Sequence, residues 1–154
     1  MGDRIKCYLL VPVLDDPGTI DSDYIRTECR EWNPELRRTL CYRHPETGEE
    51  KEFPHQFGPG AMWFANWYRK NWCWHNETEP HLIVATPGGD WDIDSRCSNC
   101  GSPNDRLHRC WVRHGTPPDI TVDKNGATCK AGAGSFAPKS GRWHGFLRDG
   151  YLVT

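Results

Sequence analysis

The chain has 154 residues, 36% of them hydrophobic, with a mean hydropathy of −0.78 and 19 basic against 21 acidic side chains, a formal charge of −2. That length suits one compact domain with its own core, and the charge excludes a strongly basic, non-specific DNA binder. No apolar run approaches the ~18 residues that a membrane-spanning helix needs.

Eight Trp, five Phe and five Tyr must supply much of the core, and 15 Gly with 12 Pro favour turns and short strands over long helices. The first element is IKCYLLVPV, residues 5 to 13, which reads as a strand with Pro12 near its end or on a sheet edge. Asp15 and Asp16 then stop the apolar stretch, and no small-residue cleavage signal follows. Lys6 stands where a myristoylation motif needs Ser or Thr, so a cytosolic location is the default.

DSDYIRTECREW, residues 21 to 32, places Tyr24, Ile25, Cys29 and Trp32 at helical spacing, with Asp21 or Ser22 as cap. TLCYRHPETGEEKEF, residues 39 to 53, predicts a hairpin turning at PETG. A second helix is expected within residues 58 to 77, after Pro59, with Met62, Trp63, Trp67 and Tyr68 on one side as core. Those rings also offer a cage for a cation, although packing explains them more simply. HLIVA, residues 81 to 85, reads as a buried strand, and PGGDWDIDSR as a loop. CWVRH and DITV are strand-like, DKNG is turn-like, and WHGFL and YLVT make a hairpin through RDG. The expected class is α+β: a small single domain spanning 1 to 154, with short antiparallel strands, one or two helices and a zinc-knuckle-like Cys/His segment. Residues 80 to 154 form its Cys/His- and Gly-rich β subregion.

Eight cysteines in a chain without a secretory signal point to metal rather than disulfides. Cys97 and Cys100 form a CxxC pair followed by glycine, whose turn lets backbone amides face the thiolates. Zinc takes four tetrahedral ligands, commonly from two such close pairs. His108 and Cys110 are the leading second pair; His114, Cys129 and His144 are alternates for the shell. Cys7, Cys29, Cys41 and Cys73 are isolated and read as core filling.

Residues 1 to 60 carry 8 basic and 12 acidic groups, whereas residues 96 to 148 carry nine basic groups against three Asp. Arg106, Arg109, Trp111 and Arg113 are therefore the candidate contacts for a protein or nucleic-acid partner, cations for phosphate and the ring for a base. Asp90, Asp92 and Asp94 alternate with Trp91 and Ile93, so their carboxylates share a side if extended. Such a row either holds a divalent cation or lends Asp94 to an arginine such as Arg113 as a brace; the brace is favoured. An enzymatic alternative is a metal-dependent or cysteine-nucleophile hydrolase, with Cys129 as nucleophile before AGAGS, His144 as base and Asp94 as its orienter.

The run DIDSRCSNCGSPNDRLHRCWVRHGTPP, with TVDKNGATCKAGAGSF and WHGFLRDGYL, resembles an uncharacterised protein family carried by bacteriophages of actinobacteria. It is similar, more distantly, to DUF6527-type phage domains. In that broader group a cysteine often precedes the last histidine, where this chain has Trp143 before His144. The resemblance implies a small β-rich phage product acting in the host cytoplasm or in the virion, and it implies no particular activity. The expectation is a non-enzymatic, zinc-stabilised accessory protein that binds its partner through a basic C-terminal face, with the hydrolase and a virion structural component as alternatives.

Overall fold

The computed structural model describes residues 4–16, 39–64, 81–94, 110–124, 135–136 and 143–154. Residues 4–14 tie three sheets together. β1 (Arg4–Lys6), β2 (Tyr8–Leu9) and β3 (Val11–Leu14) follow one another with single-residue breaks, yet each pairs in a different sheet. The breaks fall at Cys7 and Leu10, both buried, one in each of two core clusters. Neither break wastes a backbone donor: Cys7 N–H donates to Gly150 O at 2.9 Å and Leu10 N–H to Met62 O at 2.8 Å. Pro12 lies in β3, the edge strand of its sheet, the place where a missing N–H is tolerated.

β3 pairs antiparallel with β4 (Thr39–Arg43), which pairs with β5 (Glu50–Lys51) across the expected turn. In that turn His44 Nδ1 accepts from the backbone N–H groups of Glu46 and Thr47 at 3.0 and 3.2 Å. A single 3-10 turn, Pro54–Phe57, follows. β2 runs parallel to β6 (Ala61–Phe64), and β6 continues antiparallel to β7 (Leu82–Thr86) and β8 (Gly89–Asp92). β9 (Trp111–Thr116) and β10 (Asp119–Lys124) form a separate two-stranded ribbon. The last sheet has the order β1-β13-β12-β11, with β11 (Ser135–Phe136), β12 (Gly145–Arg148) and β13 (Tyr151–Val153).

The expected α+β class with one or two helices is overturned. Among the described residues, regular structure is strand apart from the 3-10 turn. The helix expected at 21 to 32 lies outside the described residues, as do 65 to 77 of the second. Where that second helix was to begin, AMWF is a strand. Gly58 and Gly60 have φ of 87° and 100°, outside helical space, so the backbone enters 61 extended. Met62 and Trp63 consequently face opposite ways: Met62 joins one core cluster and Trp63 the other. A Cβ on Gly60 would lie 2.6 Å from Lys6 O, so glycine is what lets the chain pass close to β1. PGGDWDIDSR is likewise not a loop throughout: residues 89–92 pair with β7, and Pro87 and Gly88 make the turn.

β7 is buried at all five positions because its sheet is covered on both faces, which explains the unbroken apolar run LIVA. One cluster draws Met62, Leu82, Val84 and Trp91 from that sheet, Trp111, Ile120 and Val122 from the ribbon, and Leu147 and Leu152 from the last sheet. Trp91 and Trp111 meet edge to face, centroids 5.6 Å apart, an arrangement worth ~0.5–1.5 kcal/mol beyond the area it buries. Cys7 lies in the same cluster, and burial pushes its thiol up to about 12, so it is an inert apolar filler. The second cluster holds Leu10, Tyr42, Ala61, Trp63, Ile83 and Ala85. The β12–β13 turn is Asp149-Gly150, with φ of 49° and 80°, the two left-handed positions that Asp-Gly supplies.

Candidate functional site

His81, which is buried, and Asp92, Asp94 and Arg113, which are partly buried, gather where the β7–β8 hairpin meets β9. His81 precedes β7 and Asp92 ends β8, and His81 Nδ1–H donates to Asp92 Oδ2 at 2.9 Å. That hydrogen bond, assisted by the nearby Asp94 carboxylate, raises the His81 pKa above its ordinary value against the opposing effect of burial. Asp94 accepts from Leu82 N–H at 2.8 Å and from Arg113 Nε–H at 3.1 Å. Burial raises the Asp94 pKa, while the backbone donor and the guanidinium pull it back. The Arg113 guanidinium also lies 5.8 Å from the Phe64 ring centre. The aspartate row is thus divided among separate tasks: Asp92 orients His81, and Asp94 braces Arg113. No group of three potential metal-ligating side chains comes together among the described residues.

Of the leading zinc ligands, Cys97, Cys100 and His108 lie outside the described residues. Cys110 is fully buried in the first core cluster. Of the alternates, Cys129 lies outside the described residues, and His114 is exposed on the ribbon, where its Nε2 pairs with Asp123 Oδ2 at 3.0 Å. His144 is exposed and meets the Phe146 ring edge to face at 5.6 Å. Cys110 and His114, although four residues apart, are divided between core and surface. Of the four leading zinc ligands, Cys110 alone lies among the described residues, and it sits in the core.

Among the proposed partner contacts, Arg106 and Arg109 lie outside the described residues. Trp111 is 8% exposed and belongs to the core rather than to a surface where a base could stack. Arg113 is half-buried and directed at Asp94. Of the hydrolase set, Asp94 is held by Leu82 and Arg113, and His144 immediately precedes β12, its ring against that of Phe146. No hydrogen bond or ion pair joins Asp94 to His144 among the described residues.

A basic face does exist, and it is built elsewhere. In the last sheet the inward residues are Leu147, Leu152 and Ile5, which lie opposite one another across β12, β13 and β1. Strand alternation then puts their neighbours outward in two rows. One row is Phe146, Val153 and Arg4; the other is Arg148, Tyr151 and Lys6. Arg4, Lys6 and Arg148 are exposed, and the two rings are partly exposed. The Arg4 guanidinium lies 4.4 Å above the Tyr151 ring and that of Arg148 lies 4.6 Å above the Phe146 ring. β1, β12 and β13 contain no Asp or Glu. Asp149, in the connecting turn, takes its partner from β10: its backbone N–H donates to Thr121 Oγ1 at 3.0 Å.

Sequence reasoning missed this face and also His81. The signal lay in the triplets RIK and FLR, in which an apolar residue is flanked by basic or aromatic ones. No family model, curated protein or solved structure matches the chain.

Proposed function

We propose that the chain is a non-catalytic binding protein that holds a nucleic acid on the outer face of β1, β13 and β12. The observation that carries this reading is the two-row array of Arg4, Lys6 and Arg148 around Phe146 and Tyr151, on strands free of carboxylate side chains. In a chain of net charge −2 a local face of one sign selects a polyanion without making the whole molecule sticky. The reading keeps a basic face but replaces the expected C-terminal set of Arg106, Arg109, Trp111 and Arg113 with Arg4 and Lys6 from the start of the chain and Arg148 from near its end.

Zinc belongs to the same proposal as a stabiliser. Cys97, Cys100, His108 and Cys110 have suitable residue types and spacing. The Asp94–Arg113 hydrogen bond supports it by drawing together the chain on either side of that segment. The resemblance to phage proteins supports a role in the host cytoplasm, with the virion as the alternative; self-association would favour the latter. The hydrolase reading is weaker, because its Asp94 is engaged by other partners.

The test is a titration of labelled oligonucleotides through a salt series. Three phosphate contacts give a slope of log affinity against log salt of about −2 to −3. The Arg4→Gln, Lys6→Gln, Arg148→Gln triple variant should lose that slope while keeping the wild-type melting profile. No binding at low salt would remove the proposal.

A further inference from the structure

We infer that the nucleic acid taken by this face is single-stranded, with bases stacked on Phe146 and Tyr151 and phosphates held by Arg4, Lys6 and Arg148. The inference rests on the reading just given and adds to it the class of strand. Phe146 pairs with Val153 and Tyr151 with Arg148, so the two rings are diagonal neighbours on adjacent strands. Diagonal neighbours in a sheet stand ~7–8 Å apart, about twice the ~3.4 Å rise of stacked bases. Bases on both rings must then belong to an extended strand, one base to each ring, rather than to a continuous stack.

The face is a surface of three strands, β13 flanked by β1 and β12, rather than a two-stranded ribbon of the kind that enters a major groove. A duplex laid on it could offer phosphates to the three cations but no base faces to the rings. An unpaired strand offers both. Each ring carries a guanidinium over one face, Arg4 on Tyr151 and Arg148 on Phe146, so a base that stacks on that face displaces the cation, which is then free to meet the adjoining phosphate.

The experiment compares labelled oligo(dT), oligo(U) and a blunt duplex of equal length by fluorescence anisotropy, on wild type and on Phe146→Leu, Tyr151→Leu and Tyr151→Phe. Thermal melting checks that each variant is folded. Single strands should bind at least ~10-fold more tightly than duplex, and each leucine variant should weaken single-strand binding about 5- to 100-fold. Tyr151→Phe, which keeps the ring, should bind as wild type. The leucine variants should leave the salt slope unchanged, whereas Arg148→Gln lowers its size by ~0.7. The two single-strand arms show whether DNA or RNA is preferred. Equal affinity for duplex, or folded leucine variants that bind like wild type, would overturn the inference while leaving nucleic-acid binding in place. Failure of every oligonucleotide to bind would remove the parent reading as well.

Discussion

The Asp94 carboxylate accepts a hydrogen bond from Arg113 Nε–H at 3.1 Å, tying the end of the β7–β8 hairpin to β9. Both side chains are largely buried, 15% and 24% exposed. Arg113→Ala would leave a largely buried carboxylate with the Leu82 N–H as its remaining hydrogen-bond donor among the described residues. A hydrogen bond to a charged group contributes ~1.5–3 kcal/mol, and losing one partner of a buried pair adds the cost of stranding the other. We expect Arg113→Ala to lower unfolding free energy by about 2 kcal/mol in urea titration. A loss under ~0.5 kcal/mol, the range of neutral surface substitutions, would show that the brace contributes little.

The His81–Asp92 pair makes stability depend on pH. The folded-state pKa of His81 is raised, first by the hydrogen bond to Asp92 and against desolvation. A raised histidine pKa means that the folded state holds its proton more tightly than the unfolded chain. The resulting stabilisation is fully present below the unfolded value near ~6.5 and is lost as pH rises through the folded value. Asp94, raised by burial, acts with the same sign at lower pH, since its neutral form is favoured in the fold. Denaturant midpoints measured from about pH 6 to about pH 9 should fall for wild type and change less for His81→Gln. Identical slopes in the two proteins would contradict this account.

Zinc is expected to supply folding energy to the part of the chain between the two ends of the brace. Protein expressed with zinc should carry about one ion per chain and melt at lower temperature in chelator. Cys97→Ser and Cys100→Ser should each abolish both effects. A metal content below ~0.2 per chain, with identical melting in chelator, would exclude the site.

The local elements were largely readable along the chain. PETG marked the turn between β4 and β5, the run LIVA marked β7, and Asp149-Gly150 marked the last hairpin, because turn chemistry and burial act over a few neighbouring residues. At residues 61–64 the expected helix gives way to a strand because glycines of positive φ set the backbone direction and because pairing with β7 outweighed the helical spacing of the rings. Periodicity over so short a window is weaker than a ladder of partners it cannot see. Asp94 was readable as a brace for an arginine, but His81 was not, since its partner Asp92 is brought to it only by the β7–β8 register.

Composition and local pattern by themselves determined a turn-rich chain with short strands and aromatic core material. Tertiary structure alone decided which cations share a surface. Arg113 and Trp111, adjacent to the cysteine–histidine segment in sequence, were drawn inward by Asp94 and Trp91. Arg4 and Lys6, from the opposite end of the chain, were set beside Tyr151 and Arg148 by strand pairing. The physical reason is that a strand's register is fixed by partners remote in sequence, and register determines which side chains line up in rows across a face.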